Sequence, residues 1–178
     1  MPDTHPSTLL VVPTPFEFEK IAAKLDSVVQ ANEVVLEVCG FGVVAAAART
    51  MHLLSKYDPK QVLLVGIAGA LSNELAVGNA TTFRRVVSDG IGVGEGTDHE
   101  SANEMGWKQW ESVAPTTDDF DDGIGDEIEL LTKPCDGGIL NNKLVTVCAA
   151  SANAHEADIR RKRHSSASAE DMEGFGVA

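Results

Sequence analysis

The sequence has few cysteines, no basic leader and no long apolar run, and each absence excludes a class of protein. Its three cysteines (Cys39, Cys135 and Cys148) are too few and too scattered for a disulfide framework or a zinc site, so buried free thiols are predicted. Residues 1–7 have no basic start, and no apolar run approaches the roughly 18 residues of a membrane span. A cytoplasmic protein with no signal peptide and no membrane partner is therefore expected.

Basic and aromatic residues are also scarce. Lys and Arg together number 14 against 27 for Asp and Glu, which makes the formal net charge -13. Nucleic acids and anionic membranes attract basic patches, so this balance argues against both as partners and favours a small ligand. Aromatic residues make up only 5% of the chain whereas glycines number 16, which indicates a core packed from Ala, Val and Leu with close backbone approaches.

Short apolar runs alternate with helical patterns along the whole chain. A length of 178 residues predicts one domain, 1–178, with a sizeable core. Strands are predicted at 8–12, 33–38, 61–66 and 144–150, with an extended segment at 80–88. Helical spacing is found at 17–25 and 43–55, while 127–131 could begin a short helix and 154–163 is a basic helix or loop. This alternation predicts an α/β sandwich around a mixed, mostly parallel sheet.

Two glycine-containing segments follow predicted strands. Gly40-Phe41-Gly42 lies where a strand should pass into a helix, and is either a plain tight turn or a place where the helix N-terminus meets an anionic or polar group. The segment 65–70 (Val-Gly-Ile-Ala-Gly-Ala) follows the run at 61–66, which is apolar on both faces and is the clearest buried strand. Its backbone groups would be exposed at the carboxyl end of a sheet, unless the small residues serve close packing alone.

The stretch 89–126 is rich in Gly and acids. Its run Asp118-Asp119-Phe120-Asp121-Asp122 predicts a solvated loop, whose role could be to cover a substrate, to form an interface or simply to be an insertion. His99, His155 and His164 have no metal-ligand spacing, so surface positions are predicted for them and no metal site is expected.

Acidic residues are concentrated near both ends of the chain. Glu17 and Glu19 follow the first strand, and the segment 170–173 (Glu-Asp-Met-Glu) leads into an apolar stretch that predicts the first turns of a buried helix. Carboxylates at the mouth of a buried element need partners, and the hydroxyls of a sugar would serve. The notable acids are Glu17 and Glu19 at one end and Asp171 and Glu173 at the other. Together these four could flank one pocket, with one carboxylate acting as base on a water and another holding sugar hydroxyls.

Five motifs follow one another along the chain: 11–17 (VVPTPFE), 39–42 (CGFG), 66–70 (GIAGA), 76–78 (AVG) and 170–175 (EDMEGF). Their order resembles the purine nucleoside phosphorylase and nucleosidase superfamily. Within this superfamily the chain is most similar to the futalosine hydrolases, through 14–17 (TPFE), 88–94 (SDGIGVG) with Gly106-Trp107, and 149–151 (AAS). The resemblance covers nearly all of the chain and implies a three-layer sandwich of the nucleoside phosphorylase type.

The resemblance also implies a role for each matching residue. Glu17 would orient or deprotonate the attacking water, with Glu19 as the alternative. Met172 would pack against the ribose and Glu173 would accept hydrogen bonds from its hydroxyls. The remaining substrate-binding residues would be Ala68 and Gly69 on the ribosyl side and Ser151 and Ala152 near the base.

The implied reaction is hydrolysis of the N-ribosidic bond of a purine nucleoside. The expected substrate is futalosine, cleaved to hypoxanthine and dehypoxanthine futalosine in the alternative menaquinone pathway. No cofactor and no metal is implied, and the expected assembly is a homo-oligomer.

The sequence departs from the family pattern in three places. Ser151-Ala152-Asn153 replaces an aromatic residue over the base, which weakens an adenine-specific interpretation. The turn after the first strand has no arginine for phosphate, and Arg84 and Arg85 match no phosphate motif, so a hydrolase is favoured over a phosphorylase.

By the same resemblance, the chain is expected to lack the final strand and helix of the family. It is then also expected to lack the residue that assists departure of the base, which lies at the tip of that strand. Two alternatives therefore stay open: a methylthioadenosine/adenosylhomocysteine nucleosidase, and a truncated nucleoside-binding remnant without activity.

Overall fold

The computed structural model describes residues 5–25, 33–111, 123–130 and 143–178. Four α-helices lie in these ranges, α1 (Pro15–Leu25), α2 (Val43–Tyr57), α3 (Ala154–Arg163) and α4 (Gly174–Val177), together with a 3₁₀ helix at Gly96–Asp98. The strands in the same ranges are β1 (Thr8–Val12), β2 (Val34–Val38), β3 (Gln61–Leu64), β4 (Gly69–Ala70), β5 (Arg85–Ser88), β6 (Gly92–Val93), β7 (Glu100–Ser101), β8 (Glu127–Glu129), β9 (Lys143–Thr146) and β10 (Ala167–Asp171). The predicted α/β class with mixed sheets is confirmed.

The chain divides into two compact units. The first contains Met1–Ile67 and Met172–Val177, and the second contains Ala68–Asp171 and Ala178. The chain thus passes between the units at three peptide bonds, after Ile67, after Asp171 and after Val177. The prediction of a single domain stays a prediction.

The first unit is built on a parallel sheet in the order β2-β1-β3. Leu10 of the central strand is in register with Leu36 on one side and Leu63 on the other. Because successive side chains of a strand point to opposite faces, Leu9 and Val11 lie on one face, where they form a core with Cys39, Ala46 and Leu53. The central strand is therefore buried on both faces, as expected for parallel sheets.

Helix α2 owes its length to an alanine-rich sequence, and its ends are set by local backbone geometry. It begins after Gly42, whose backbone φ of 88° is one that glycine adopts readily. It is capped at its other end by Asp58, which has a left-handed backbone conformation and whose N–H donates to the Leu54 carbonyl at 2.8 Å. The short helix α4 packs against α2 at Gly176. A Cβ there would lie 2.4 Å from the Val43 carbonyl oxygen, so only glycine permits this approach.

The second unit contains a five-stranded mixed sheet in the order β4-β10-β9-β5-β8. Its three inner strands run parallel, while β4 and β8 pair antiparallel at the two edges. The inner strands supply the core of this unit through Val86, Val145 and Ala169. A separate two-stranded ribbon of β6 and β7 lies within the acidic stretch at 89–126, whose Asp118–Asp122 run falls outside the described residues.

Several sequence predictions need correction. The strand predicted at 61–66 exists as β3, but it lies at the edge of its sheet and the Leu63 side chain is 47% exposed. The short helix predicted from Glu127 is wrong, because the alternation of Glu127, Ile128 and Glu129 makes an edge strand that pairs with β5. Strand β10 was not predicted at all, since its Ala, Ser, Glu and Asp residues have no β-branched or aromatic signal.

The cysteine prediction is confirmed for one residue and wrong for another. Cys39 is buried and free, as predicted, whereas Cys148 is free but exposed. Cys135 lies outside the described residues. None of the described helices is long and apolar enough to span a membrane.

The core of the first unit yields a stability test on helix α2. We expect Leu53→Ala to lower the free energy of unfolding by about 2–5 kcal/mol, because its side chain is fully buried and a cavity would remain. The control Val44→Ala, on the same helix but 79% exposed, should change it by less than about 0.5 kcal/mol. Urea denaturation measures both, and equal losses would contradict this assignment of the core.

Candidate functional site

Glu17 is a buried acid at the carboxyl end of the central strand β1. It lies in the first turn of α1 with only 9% of its surface exposed. Its Oε2 atom accepts hydrogen bonds from the Thr14 N–H at 3.1 Å and the Thr14 hydroxyl at 2.6 Å, while Oε1 accepts from the Ile67 N–H at 3.0 Å. All three partners are donors, which suits an ionised carboxylate because such a group only accepts.

Local sequence explains why Glu17 folds into this place. Thr14 and Glu17 form a capping box, in which the Thr14 hydroxyl also accepts from the Glu17 N–H at 3.3 Å. Gly66 leaves room for the carboxylate, since a Cβ at that position would meet Glu17 Oε1 at 3.1 Å and the Pro13 ring at 3.2 Å. The capping box thus positions the acid from its own helix, and the segment after β3 holds it from the other side.

Glu173 is the second buried acid of the first unit, with 5% of its surface exposed. Its Oε1 atom accepts from the Gly42 N–H at 2.8 Å, at the start of α2. Gly42 has no side chain to cap this helix, so Glu173 supplies the acceptor, and the helix dipole favours its negative charge. The Gly40-Phe41-Gly42 turn therefore connects β2 to α2, as predicted. The anionic group bound by its N–H is the carboxylate of Glu173, a residue of the same chain. The neighbouring Met172 is half-buried.

The two acids share one edge of the parallel sheet. Glu17 follows β1, and the Gly42 amide that binds Glu173 follows the adjacent strand β2. Ligands of open α/β sheets bind at the carboxyl ends of the strands, so this edge is the candidate site. Glu19, the alternative to Glu17, is exposed and has no hydrogen bond among those of the described residues. The structure therefore favours Glu17 over Glu19 as the site's acid.

In the second unit, Glu170 links two of the predicted substrate-binding residues. This side chain is only 4% exposed, and it accepts from the Ser151 N–H at 2.8 Å and the Ser151 hydroxyl at 3.0 Å. The strand β4 residue Gly69 pairs with Glu170 through the backbone, and a Cβ on Gly69 would lie 3.1 Å from Glu170 Cγ. Gly69 and Ser151 are thus brought together by Glu170, a buried acid to which the sequence analysis gave no role.

The other two predicted residues of this unit lie in irregular, exposed segments. Ala68 precedes β4, and Ala152 precedes helix α3. The Ala152 N–H donates to Glu156 at 2.8 Å, and Asn153 caps the same helix by accepting from the Glu156 N–H at 3.1 Å. The N–H groups of both Ser151 and Ala152 are therefore bound by carboxylates of their own unit.

A cluster around Asp89 was not predicted. Arg163 donates to Asp89 Oδ1, and His164 Nε2 lies 3.0 Å from the same atom. Burial raises the pKa of Asp89, but hydrogen bonds from His164 and Arg163 outweigh it and hold the pKa at about 2, below its ordinary 3.8. The surface position predicted for His164 is wrong, because its side chain is only 13% exposed. His155 is exposed as predicted, and His99 is half-buried.

A sequence signal for this cluster exists. The last turn of α3 contains four consecutive basic residues in a chain of net charge -13, and such a concentration indicates acidic partners.

Arg84 and Arg85 are paired with Glu129 at 3.9 Å and Glu127 at 2.9 Å. In the described parts of the chain, no three His, Cys, Asp or Glu side chains are grouped as metal ligands.

The chain matches one protein family over almost its whole length. The model of the Phosphorylase superfamily matches residues 9–178. No curated protein matches the sequence significantly.

Solved structures of similar fold include three nucleosidases. Native futalosine hydrolase of Helicobacter pylori strain 26695 is 15% identical, with a TM-score of 0.68 over 97% of this chain and 77% of that one. The 5'-methylthioadenosine/S-adenosylhomocysteine nucleosidase of Neisseria meningitidis is 14% identical, with a TM-score of 0.66 over 97% and 78%. The corresponding nucleosidase of S. pneumoniae is 16% identical, with a TM-score of 0.66 over 96% and 76%. At identities this low, the likeness shows that this chain shares the fold of these proteins.

The lowered pKa of Asp89 predicts a pH-dependent contribution to stability. A carboxyl whose pKa is depressed in the folded state stabilises fully above its unfolded value, and this contribution is lost as pH falls through the folded value. We expect Asp89→Asn to lower the urea midpoint at pH 7, and the difference from wild type to shrink between about pH 4 and pH 2.

The matched control for Asp89 is Asp158→Asn on helix α3. Asp158 has a side chain 55% exposed and an ion pair with Arg161, so it should change the midpoint little at any pH. A wild-type advantage over Asp89→Asn that stays constant from pH 5 to about pH 2 would contradict the assignment.

Proposed function

The chain belongs to the Phosphorylase superfamily, and from this premise we propose that it hydrolyses the N-ribosidic bond of a purine nucleoside. The single observation that carries the proposal is the buried Glu17 carboxylate at the carboxyl edge of the parallel sheet, held by Thr14 and the Ile67 N–H. Such a carboxylate, fixed where ligands of this fold class bind, can orient a water molecule and accept a proton from it.

The hydrogen bonds of Glu17 leave capacity for that water. An ionised carboxylate has about four lone-pair sites on its two oxygens. Two donors from Thr14 occupy Oε2, and the Ile67 N–H occupies one site on Oε1. One site on Oε1 therefore remains on the same atom that the Ile67 amide orients, and we assign it to the attacking water.

The proposed reaction balances as a hydrolysis. The bond between the sugar C1′ and the purine nitrogen breaks, and a bond forms between C1′ and the water oxygen. Glu17 takes one proton of the water and returns it to solvent, and the departing base takes a proton from solvent in place of its sugar. The transition state has oxocarbenium character, so nearby carboxylates stabilise the positive charge that develops on the sugar.

Glu173 is proposed to hold the ribose. Its Oε1 atom is fixed by the Gly42 N–H, so the carboxylate is oriented before substrate binds and needs little reorganisation. Accepted hydrogen bonds from the sugar hydroxyls would be charge-assisted and therefore strong. Met172, which precedes it, is proposed to pack against the sugar. The roles of Ala68, Gly69, Ser151 and Ala152, and the homo-oligomeric state, stay predictions.

Futalosine is the proposed substrate, and methylthioadenosine or adenosylhomocysteine are the second candidates. Structural neighbours with both kinds of name support a nucleosidase without separating these substrates. The chain's own residues favour futalosine, because the segment 151–153 has no aromatic side chain to stack on adenine and because the motifs at 14–17 and 88–94 resemble the futalosine hydrolases.

Substitution of Glu17 tests the proposed water-activating role. We expect Glu17→Gln to lower kcat by about 10²-fold or more, because the amide cannot accept the water's proton. Glu19→Gln is the matched control, two residues along the same helix but exposed, and should leave kcat unchanged within about twofold. Release of the free base is followed by chromatography, and equal rates for Glu17→Gln and wild type would exclude the role.

The substrate is tested by comparing three nucleosides at equal concentration. We expect hypoxanthine release from futalosine to exceed adenine release from methylthioadenosine and from adenosylhomocysteine, measured as kcat/KM. Higher kcat/KM with either adenine nucleoside would replace futalosine by that substrate. Binding of a nucleoside without release of any base would instead indicate a nucleoside-binding protein without activity.

A further inference from the structure

Arg160 occupies a central position in the polar network of the second unit. Its side chain is only 15% exposed, although it lies on the basic helix α3. Its Nη1 atom donates to Glu170 Oε2 at 2.7 Å and to the Ser151 hydroxyl, and Nη2 donates to the Ala149 carbonyl. Its Nε atom lies 4.0 Å from Asp89 Oδ2. One guanidinium thus contacts the segment after β9, the strand β10 and the end of β5.

Glu170 completes this network from the opposite side. The Oε1 atom accepts the Ser151 N–H, and Oε2 accepts both the Ser151 hydroxyl and Arg160. Arg160, Glu170 and Ser151 therefore form a closed ring of hydrogen bonds around one ion pair. Glu170 is buried, and Ser151 and Arg160 are partly buried. Polar groups in such a ring are restricted to one arrangement when every member has a partner.

The ring also occupies the hydrogen-bonding groups of Ser151. Its backbone N–H and its hydroxyl hydrogen are both donated to Glu170, and its oxygen accepts from Arg160. The donors of Ser151 are thus used within the protein, and they hold this residue in place. Its position fixes the segment 149–152, which contains Ser151 and Ala152, the two residues predicted to lie near the base.

We propose that Arg160 and Glu170 are positioning residues, which hold the segment 149–152 in the conformation that binds the purine base. This inference rests on the proposed function, because it assumes that a purine nucleoside is the substrate. A buried ion pair contributes little net stability compared with uncharged residues of the same size, whereas it strongly restricts geometry. Its role is therefore expected in binding more than in stability.

The test uses single variants and the double variant that removes both charges. Arg160→Met and Glu170→Gln each leave one buried charge without its partner, so both should lower the melting temperature. The double variant Arg160→Met/Glu170→Gln leaves neither charge and should recover most of this loss. Lys162→Met is the matched control, because it removes a positive charge from the exposed face of the same helix.

Kinetics of nucleoside cleavage separate positioning from stability. We expect KM to rise by about tenfold or more in Arg160→Met and in the double variant, with kcat changed much less, because the base-binding segment is displaced. Lys162→Met should keep the wild-type KM. A double variant that regains both the melting temperature and the wild-type KM would overturn the proposal, since the pair would then serve stability alone.

Calorimetric titration with free hypoxanthine and free adenine makes the test independent of catalysis. We expect the dissociation constant of the base that binds wild type to rise by about tenfold in Arg160→Met and in the double variant, but not in Lys162→Met. This result would support the positioning role even if no nucleoside were cleaved and the proposed hydrolysis failed. Equal affinity in all variants, or a wild-type protein that binds neither base, would overturn the inference.

Discussion

The hydrogen bond from the Ile67 N–H to Glu17 Oε1, 3.0 Å long, is the interaction on which the candidate site depends. It joins the segment after β3 to the first turn of the helix after β1, so it fixes a carboxylate at the edge where two parallel strands end. Three local conditions make it possible: the capping box of Thr14, the absence of a side chain at Gly66, and the burial of β1 on both faces. Glu17 is therefore both a structural cap of α1 and the proposed acceptor of the water's proton. These roles are compatible because they use different lone pairs of one carboxylate.

The two units place buried acids by different means. In the first unit, Glu17 accepts hydrogen bonds from two backbone N–H groups and one hydroxyl, and Glu173 accepts one from the Gly42 N–H. In the second unit, Asp89 and Glu170 are paired with arginines of α3, so their charges are already neutralised. An acid bound by neutral donors is suited to chemistry, and an acid bound by arginine is suited to fixing structure. This contrast distinguishes Glu17, the proposed reacting group, from Glu170, the proposed positioning group.

Sequence alone predicted what depends on local pattern. The strand at 8–12 and the helix at 43–55 were found because their periodicity lies within a few residues. The site roles of Glu17 and Glu173 are implied by the family resemblance and stay predictions. Strand β10 was not predicted, because Ala167, Ser168 and Ala169 have no preference for β structure and become a strand only by pairing with β4 and β9. The role proposed for Glu170 was not predicted for a related reason, since its ion pair with Arg160 of α3 forms only in the folded chain. Long-range pairs such as Asp89 with His164, 75 residues apart, need the fold before they can be recognised.

The central claim is that Glu17 presents a water molecule to the sugar, and isotope labelling tests it most directly. The protein is incubated with futalosine in water enriched in oxygen-18, with and without inorganic phosphate, and the sugar product is analysed by mass spectrometry. We predict one oxygen-18 atom on the C1 hydroxyl of that product, formed at the same rate whether or not phosphate is present. A sugar 1-phosphate formed only when phosphate is added, without label at C1, would contradict the claim.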